Sequence, residues 1–461
     1  MLCRLTILKT GLSWGKPMEQ SNSFFRTQKV SRLLLRLAPP VMLAQLIQAL
    51  YNIVDSYFIG QYSKDGLAAL SVIFPIQLLI SALAIGTGVG VNTLMSKYYG
   101  MAKEKEAKET AGVGFFLSVV TWAIFAAVFC GIMGIYTKLS LSTPQAQEYA
   151  CTYGRIVCGF SFGIFLESNW SKILQSKGDM KTPMIAQVVG AITNIIFDYL
   201  LIFGIGFFPE LGVAGAAVAT VMGQILAAVI VSFKGYHKMP SFSKMRDYIK
   251  PIYKAGTPNI IMNALCTIYI VALNLILVSF SDDAVTVLGL YYKLQMFCLI
   301  PVMGLTTCIV PILSYNYAAG EVKRCKLILW ESVAISAVCM AVGTLAFEII
   351  PTQLLSIFAE NEPAILEIGT VALRIIGISF VPISVSLVIP TYFQAIGMGK
   401  QSIALTVLRQ IGLLIPLAWV FSFIGLEFVW LAFPITEVIT AAAAYILYRK
   451  FPMKEKAKAD I

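Results

Sequence analysis

Long apolar stretches dominate the sequence and decide what it can fold into. A helix needs about 20 apolar residues to cross a bilayer whose hydrocarbon core is about 30 Å thick. We count twelve such stretches, with predicted bounds of 33 to 59, 67 to 98, 109 to 135, 146 to 171, 182 to 206, 213 to 235, 251 to 280, 285 to 317, 326 to 350, 364 to 396, 401 to 424 and 427 to 448. A membrane β-barrel would show short alternating segments instead, so the sequence predicts an all-α integral membrane protein.

The composition excludes several other classes of protein. Hydrophobic residues make up 58% of the chain and charged residues 13%, whereas soluble domains have about 25% charged residues. The nine cysteines form no CxxC pair and are interpreted as packing residues. The single histidine, His237, lies in a basic segment, and no HExxH, GxSxG or GxxxxGK[ST] motif occurs. We therefore expect neither an enzyme nor a nucleotide-driven pump, and no cofactor.

The positive charges indicate how the chain crosses the membrane. If both termini are cytoplasmic, 29 of the 35 Lys and Arg residues fall on that side, as the positive-inside rule requires. The outer loops then hold only Lys64 and Lys138. We predict a multi-pass protein of the bacterial inner membrane without a cleaved signal peptide, and Met18 is a second candidate start. The net charge of +11 follows from this topology, so no nucleic-acid partner is expected, and the surrounding partner is membrane lipid.

The two halves of the sequence repeat each other. Equivalent residues stand 218 or 219 positions apart, as in the pairs Pro40 and Pro258, Gly86 and Gly304, Arg155 and Arg374, and Gln175 and Gln394. Six spans in each copy give a parallel repeat with a pseudo-twofold axis along the membrane normal, an arrangement typical of secondary transporters. The predicted divisions are a leader (1–31), an N-lobe (32–235), a linker (236–250), a C-lobe (251–450) and a tail (451–461).

Ionisable residues inside membrane spans are candidates for function because burying them there is costly. Asp55 lies in the first span, Asp198 and Asn194 lie one helical turn apart in the fifth, and Thr220 lies in the sixth at a similar depth. Carboxylate, amide and hydroxyl oxygens are ligands of hard cations, and a pair of carboxylates also suits proton binding. These residues are the predicted cation-coupling site.

The repeat provides an internal control for this site. The positions equivalent to Asp55, Asn194 and Asp198 in the second copy are Leu273, Leu413 and Leu417. If the scaffold alone needed the polar residues, both copies would contain them. Their presence in one copy favours a functional role.

Four further charged residues are secondary candidates. Arg409 and Glu437 lie near mid-membrane in the last two spans and form either a structural ion pair or a second proton site. Lys293 either reaches outward or lines a cavity. Glu167 either contributes to a site or faces the cytoplasm.

Several motifs together resemble the MATE family, the multidrug and toxic compound extrusion transporters. They are PPVMLAQLIQALYNIVDSYFIG, LAALSVIFP, GTGVGVNTLMSKYYG and AKEKEAKE in the first copy, and GTPNIIMNA, PILSYNYAAGE and YFQAIGMGKQS in the second. The resemblance covers about residues 32 to 450. It implies two six-helix lobes that export amphipathic, often cationic drugs in exchange for protons or sodium, and we expect a monomer.

Within that family the chain resembles the DinF/MepA-type branch. The resemblance implies that the N-lobe binds the coupling cation at Asp55, Tyr51, Asn194, Asp198 and Thr220. It also implies that the first helix bends at Pro40, and that sodium, if it is the ion, binds Asp55, Asn194 and Asp198. Another bacterial branch has a Glu eight residues after the proline of the second repeat, but Cys266 stands there in this chain.

Three questions stay open at the level of sequence. Protons and sodium both use carboxylates, so the coupling ion is undetermined. The natural substrate is also undetermined. A lipid-linked saccharide flippase, which shares the two-lobe architecture, is the alternative function, although its strongly basic cavity is not expected from only four cations within the spans.

Overall fold

Helices form almost all of the chain in our computed structural model, which describes residues 24–359 and 362–451. The first half contains α1 (Phe24–Thr27), α2 (Val30–Tyr62), α3 (Lys64–Gly100), α4 (Glu104–Ser140), α5 (Pro144–Gly159), α6 (Phe162–Ser176), α7 (Lys181–Phe203) and α8 (Val213–Gly235). The second half contains α9 (Phe242–Leu277), α10 (Asp282–Ala318), α11 (Val322–Ile349), α12 (Pro351–Ala359), α13 (Pro363–Gly377), α14 (Phe380–Ala395), α15 (Gly399–Val407), a π-helical segment (Leu408–Leu414), α16 (Ile415–Ser422) and α17 (Leu426–Lys450). The predicted all-α fold is confirmed.

The membrane spans agree with the predicted number, with one difference in shape. Ten helices of the described chain are long and apolar enough to cross a membrane, and two bent helix pairs bring the number to as many as 12. The bends are 41° between α5 and α6 and 52° between α13 and α14. Each bend directly follows the glycine that ends the preceding helix, Gly159 or Gly377. Because glycine and serine favour kinks, two spans predicted as continuous are broken at equivalent positions.

The repeat is visible in how equivalent helices begin. Helices α3 and α10 both begin and end 218 residues apart. Ser63 caps α3 by accepting a hydrogen bond from the Gly66 amide at 3.2 Å, and Ser281 caps α10 by accepting one from the Ala284 amide at 3.1 Å. A serine in this position satisfies an amide that would otherwise have no partner in the first turn. The same local chemistry therefore starts the same helix in each lobe.

The two lobes are joined at one end of the bundle and separate at the other. We call α2 to α8 the N-lobe, α9 to α17 the C-lobe, and the end that carries the connection between them the linker end. At the far end, each lobe has its own hydrophobic core. At the linker end, the start of α2, including Leu33 and Leu37, packs into the C-lobe core, and the start of α9, including Met245 and Ile252, packs into the N-lobe core. A cleft between the lobes therefore widens toward the far end.

Two glycines at equivalent positions allow the lobes to pack closely against each other. A Cβ atom on Gly86 would lie 2.2 Å from Ile260 Cγ1, and one on Gly304 would lie 2.5 Å from Met42 Cγ. Both glycines and both of their partners are related by the 218-residue repeat. The pseudo-twofold thus governs the packing between lobes as well as the order of helices.

The connection between the lobes is shorter than the predicted linker. Helix α9 begins at Phe242, so that only residues 236–241 join the lobes outside helices. Within them, His237 Nε2 lies 3.0 Å from Lys177 Nζ. Burial and the neighbouring Lys177 ammonium lower the pKa of His237, so the neutral ring accepts this hydrogen bond. Residues 1–23 of the predicted leader and 452–461 of the tail lie outside the described residues.

Candidate functional site

The structure brings the two predicted aspartates together inside the N-lobe. Asp55 lies on α2 and Asp198 on α7, and these two helices pack against each other. Asp55 is 8% exposed and Asp198 is fully buried. Their carboxylates are close enough for a direct electrostatic interaction. Two residues 143 positions apart in the sequence therefore form one acidic pair.

Most carboxylate oxygens of the acidic pair have no hydrogen-bond partner among the described residues. Asp55 Oδ1 and both carboxylate oxygens of Asp198 are buried and accept no hydrogen bond in the described part of the chain. No Lys or Arg nitrogen of the described residues lies within 4.0 Å of either carboxylate. Burying a carboxylate without a partner costs several kcal/mol. A cation or a proton bound by the pair would remove that cost.

A hydrogen-bonded network lies beside the acidic pair. Asn194 Nδ2 donates to Thr220 Oγ1 at 3.3 Å. Gln77 Nε2 donates to the Tyr153 hydroxyl at 3.1 Å. Tyr153, which is buried and close to both acids, is not among the predicted site residues.

Comparison of the two sequence copies could have identified Tyr153 as a candidate site residue. Its equivalent position in the C-lobe is Ala372, so this position is polar in one lobe and apolar in the other, as Asp55 and Asp198 are. A search of the repeat for every such difference, rather than for charges alone, would have found it.

A cavity of about 80 Å³, the N-lobe cavity, opens next to this network. Its polar lining contains Tyr51, Asn194 and Thr220 from the predicted site, together with Gln48, Glu167, Gln187 and Gln224. Glu167 is buried, and its Oε1 accepts a hydrogen bond from Ser171 at 2.7 Å. The interpretation that Glu167 faces the cytoplasm is therefore wrong. Its helix, α6, continues to Ser176 and turns this residue toward α7 and α8.

Pro40 lies within an unbroken helix. Helix α2 runs from Val30 to Tyr62 through Pro39 and Pro40. A proline removes the amide that would bond to the carbonyl four residues earlier, and so the helix bends there at lower cost than elsewhere. Pro40 also lies where α2 leaves the C-lobe core, since Leu37 belongs to that core and Asp55 to the N-lobe.

The other charged candidates lie in the C-lobe. Arg409 donates to Glu437 Oε1 through Nε at 2.7 Å and Nη2 at 2.6 Å, and the Ser386 hydroxyl donates to Glu437 Oε2. The side chains of Arg409 and Glu437 are 20% and 7% exposed. The structure thus places these two residues in a buried ion pair. Lys293 is exposed on α10 and does not line the N-lobe cavity.

A second cavity of about 80 Å³, the interlobe cavity, lies between the lobes. Both lobes line it, through α3, α6, α9, α10 and α14. Its lining includes Lys172, although the predicted fourth span ends at residue 171. Helix α6 extends to Ser176 and keeps Lys172 within the bundle.

Comparison with known proteins agrees with this architecture. The MatE family matches residues 40–200 and 258–420, one segment in each lobe. A protein of Shewanella oneidensis named FAD transporter is 27% identical over 93% of this chain and 96% of its own length. The multidrug export protein MepA of Staphylococcus saprophyticus is 25% identical over 92% of this chain and 94% of its own. A solved outward-facing MATE transporter has a TM-score of 0.89 at 22% identity, covering 96% of this chain and all of its own.

Proposed function

Because the chain belongs to the MatE family of multidrug and toxic compound extrusion transporters, we propose that it is an antiporter that exports amphipathic organic molecules in exchange for protons or sodium. The observation that carries this proposal is the buried acidic pair, Asp55 and Asp198, three of whose four carboxylate oxygens accept no hydrogen bond from the described residues. A membrane protein that retains two such carboxylates in one lobe, with leucines in the other, needs an exchangeable cation to neutralise them. No resident cofactor takes part.

The proposed cycle couples this cation to the cleft between the lobes. A cation enters from the far end and binds the acidic pair with Asn194, and Tyr51 and Thr220 complete the site. Neutralising the charge lets α2 pack more closely against α7, and α2 bends at Pro40. The N-lobe side of the cleft then narrows, and the exported molecule leaves from the far end. The cation is released on the linker side after the lobes rock.

The orientation in the membrane belongs to the same proposal. The Lys and Arg residues of the connecting segments cluster at the linker end, and we place this end in the bacterial cytoplasm. Export then runs toward the far end, where each lobe has a separate core. The two relatives' names, a multidrug exporter and an FAD transporter, differ in substrate. The proposal therefore extends to amphipathic organic molecules as a class.

The test uses purified protein in proteoliposomes with an imposed sodium or proton gradient and a fluorescent cargo. We expect one of the two gradients to drive transport, and Asp55→Asn and Asp198→Asn each to reduce it at least tenfold. The matched control is Leu417→Met, a conservative change at the C-lobe position equivalent to Asp198, which should transport normally. Gradient-driven transport at the wild-type rate in both Asp variants would refute the proposed coupling site.

A further inference from the structure

We propose that the interlobe cavity binds an anionic group, a carboxylate or a phosphate, of the transported molecule, and that Lys172 is its counter-ion. This inference rests on the proposed function only in taking the occupant to be the transported molecule.

The cavity lies where the two lobes meet across the pseudo-twofold axis. Gln175 of α6 and Gln394 of α14, which are equivalent in the repeat, both line it. One turn before each glutamine stand Lys172 in the N-lobe and Thr391 in the C-lobe, and both of these also line the cavity. The surroundings are thus nearly symmetric, except that one lobe contributes a charge. Of the described residues that line this cavity, Lys172 is the single ionisable group.

The Lys172 ammonium has no neutralising partner in direct contact. Its Nζ donates to Gln175 Oε1 at 3.0 Å. No carboxylate oxygen in the described ranges lies within 4.0 Å of it. The nearest acid along the helix, Glu167, lines the N-lobe cavity and accepts from Ser171 instead. An ammonium has three donors, so two remain for a ligand, and an anion there would replace the solvation that burial removes.

Neighbouring groups hold Lys172 in place and supply further donors. Asn92 Nδ2 donates to the Lys172 carbonyl at 2.8 Å, and this bond ties α3 to α6. A Cβ atom on Gly88 would lie 2.9 Å from Lys172 Cγ, so the glycine leaves space for the lysine stem. Because Gln175 accepts from Lys172 through its oxygen, its amide NH₂ remains available as a donor. An ammonium beside an amide donor suits an oxyanion.

The cavity's size and apolar lining describe the rest of the ligand. A volume of about 80 Å³ accommodates a head group but not a whole drug-sized molecule. The apolar side chains of the lining are Ile85, Val89, Met262 and Val310, and Asn259, Thr306 and Thr307 add polar groups. The remainder of the molecule would extend into the cleft toward the far end. A buried positive charge also repels organic cations, so the geometry points to anionic or zwitterionic amphiphiles as the preferred cargo.

Two matched pairs of dyes test the proposal by direct binding, without any gradient. Rhodamine 110 has a free carboxylate that its methyl ester, rhodamine 123, lacks, and riboflavin 5′-phosphate has a phosphate that riboflavin lacks. Binding to the full-length protein in nanodiscs is followed by fluorescence polarisation. We expect the acid of at least one pair to bind about tenfold or more tightly than its neutral or esterified partner, and the pair that shows the difference identifies carboxylate or phosphate as the group.

Three variants connect that preference to Lys172. Lys172→Met should abolish the difference within the pair, Lys172→Arg should retain most of it, and Lys400→Met, which removes an exposed lysine that does not line the cavity, should leave it intact. Equal binding of both members of both pairs by the wild type, or an unchanged preference in Lys172→Met, would overturn the inference. If Lys172→Met fails to fold, Lys172→Gln, which removes the charge and keeps a polar side chain, takes its place.

Failure of this inference differs from failure of the proposed function. If a cation gradient drives transport but the protein binds both members of each dye pair equally, only the anion site is refuted. A Lys172-dependent preference in a protein that no cation gradient drives would refute the coupling mechanism alone.

Discussion

The N-lobe cavity and the region equivalent to it in the C-lobe are built on the same scaffold but hold opposite chemistry. Residues of the two regions correspond through the repeat: Tyr51 to Tyr269, Glu167 to Ser386, and Gly190 to Arg409. In the C-lobe, the Arg409 guanidinium binds the Glu437 carboxylate. In the N-lobe, the acidic pair has no basic partner within the described chain. The C-lobe carboxylate therefore has a cationic partner in the protein, whereas the N-lobe pair has none among the described residues.

Local backbone geometry explains why the arginine fits in only one lobe. A Cβ atom on Gly190 would lie 2.8 Å from the Gly223 carbonyl, because α7 and α8 are in close contact there. Arg409 instead lies in the π-helical segment Leu408–Leu414, a wider turn that is often associated with functional sites. The comparison teaches that a repeated fold can neutralise an acidic residue with an arginine in one lobe and leave the acids of the other lobe without a basic partner among the described residues.

Removing the carboxylate of the Arg409–Glu437 ion pair should give the largest change in stability. Glu437→Gln leaves the Arg409 charge buried without a carboxylate and should lower the free energy of unfolding by about 3 to 5 kcal/mol. Reversible unfolding in mixed detergent micelles measures this. The double variant Arg409→Met with Glu437→Leu should recover most of the loss, because no charge then remains buried. A loss of the same size in the double variant would show that packing, rather than charge, causes it.

Removing one carboxylate from the N-lobe should stabilise the protein, whereas removing one from the C-lobe should destabilise it. Asp198→Asn removes a buried carboxylate that repels Asp55, and we expect the free energy of unfolding to rise by about 1 to 2 kcal/mol. The stabilisation that the coupling cation gives to the wild type should disappear as well. Thermal unfolding over a series of sodium and proton concentrations measures both quantities, with Leu417→Met as the control. A marked destabilisation would mean that the carboxylate has a structural partner.

A single substitution should make the C-lobe resemble the N-lobe. Arg409→Met leaves Glu437 with only the Ser386 hydroxyl, so the C-lobe should acquire a dependence of stability on the coupling cation. In an Asp198→Asn background, where the N-lobe response is absent, we expect about 1 kcal/mol of cation-dependent stabilisation to return. Lack of any response would indicate that a lone carboxylate does not form an ion site on this scaffold.

The smallest expected effect concerns a hydroxyl beside the acidic pair. Tyr153→Phe removes the hydroxyl that accepts from Gln77, and it should weaken cation binding by about fivefold, in line with one hydrogen bond of about 1 kcal/mol. The matched control is Tyr291→Phe in the C-lobe, where Gln295 donates to the tyrosine hydroxyl. Cation-dependent stabilisation is measured for both variants. Equal weakening in both would assign the effect to packing.

The sequence predicted the features that depend on periodicity and composition. Hydropathy predicted the helices, and the repeat predicted the equivalence of α3 with α10 before their capping serines were compared. Comparing the copies also identified Asp55 and Asp198, because each has a leucine at the equivalent position. These inferences need only the order of residues along the chain.

The features that the sequence did not predict depend on where helices end and which way they face. Charged residues lower the mean hydropathy, so the predicted fourth span ends before Lys172. In the structure, α6 continues past Lys172 to Ser176. The direction of Glu167 depends on the rotation of α6 after the bend that follows Gly159, and the residues of the span do not specify that rotation. The pairing of Ser386 with Glu437 likewise requires three-dimensional packing of α14 against α17.

The start of α2 packs into the C-lobe core and the start of α9 into the N-lobe core, and this arrangement has a consequence for biosynthesis. Leu33 and Leu37 at the start of α2 are covered by helices that the ribosome has not yet synthesised when the N-lobe is complete. The N-lobe alone therefore exposes apolar surface at its linker end, and it gains its final contacts only after α10, α11 and α14 enter the membrane. Biogenesis thus ends with a mutual docking step, and two separately encoded halves divided within residues 236–241 would have to be produced together to give a stable transporter.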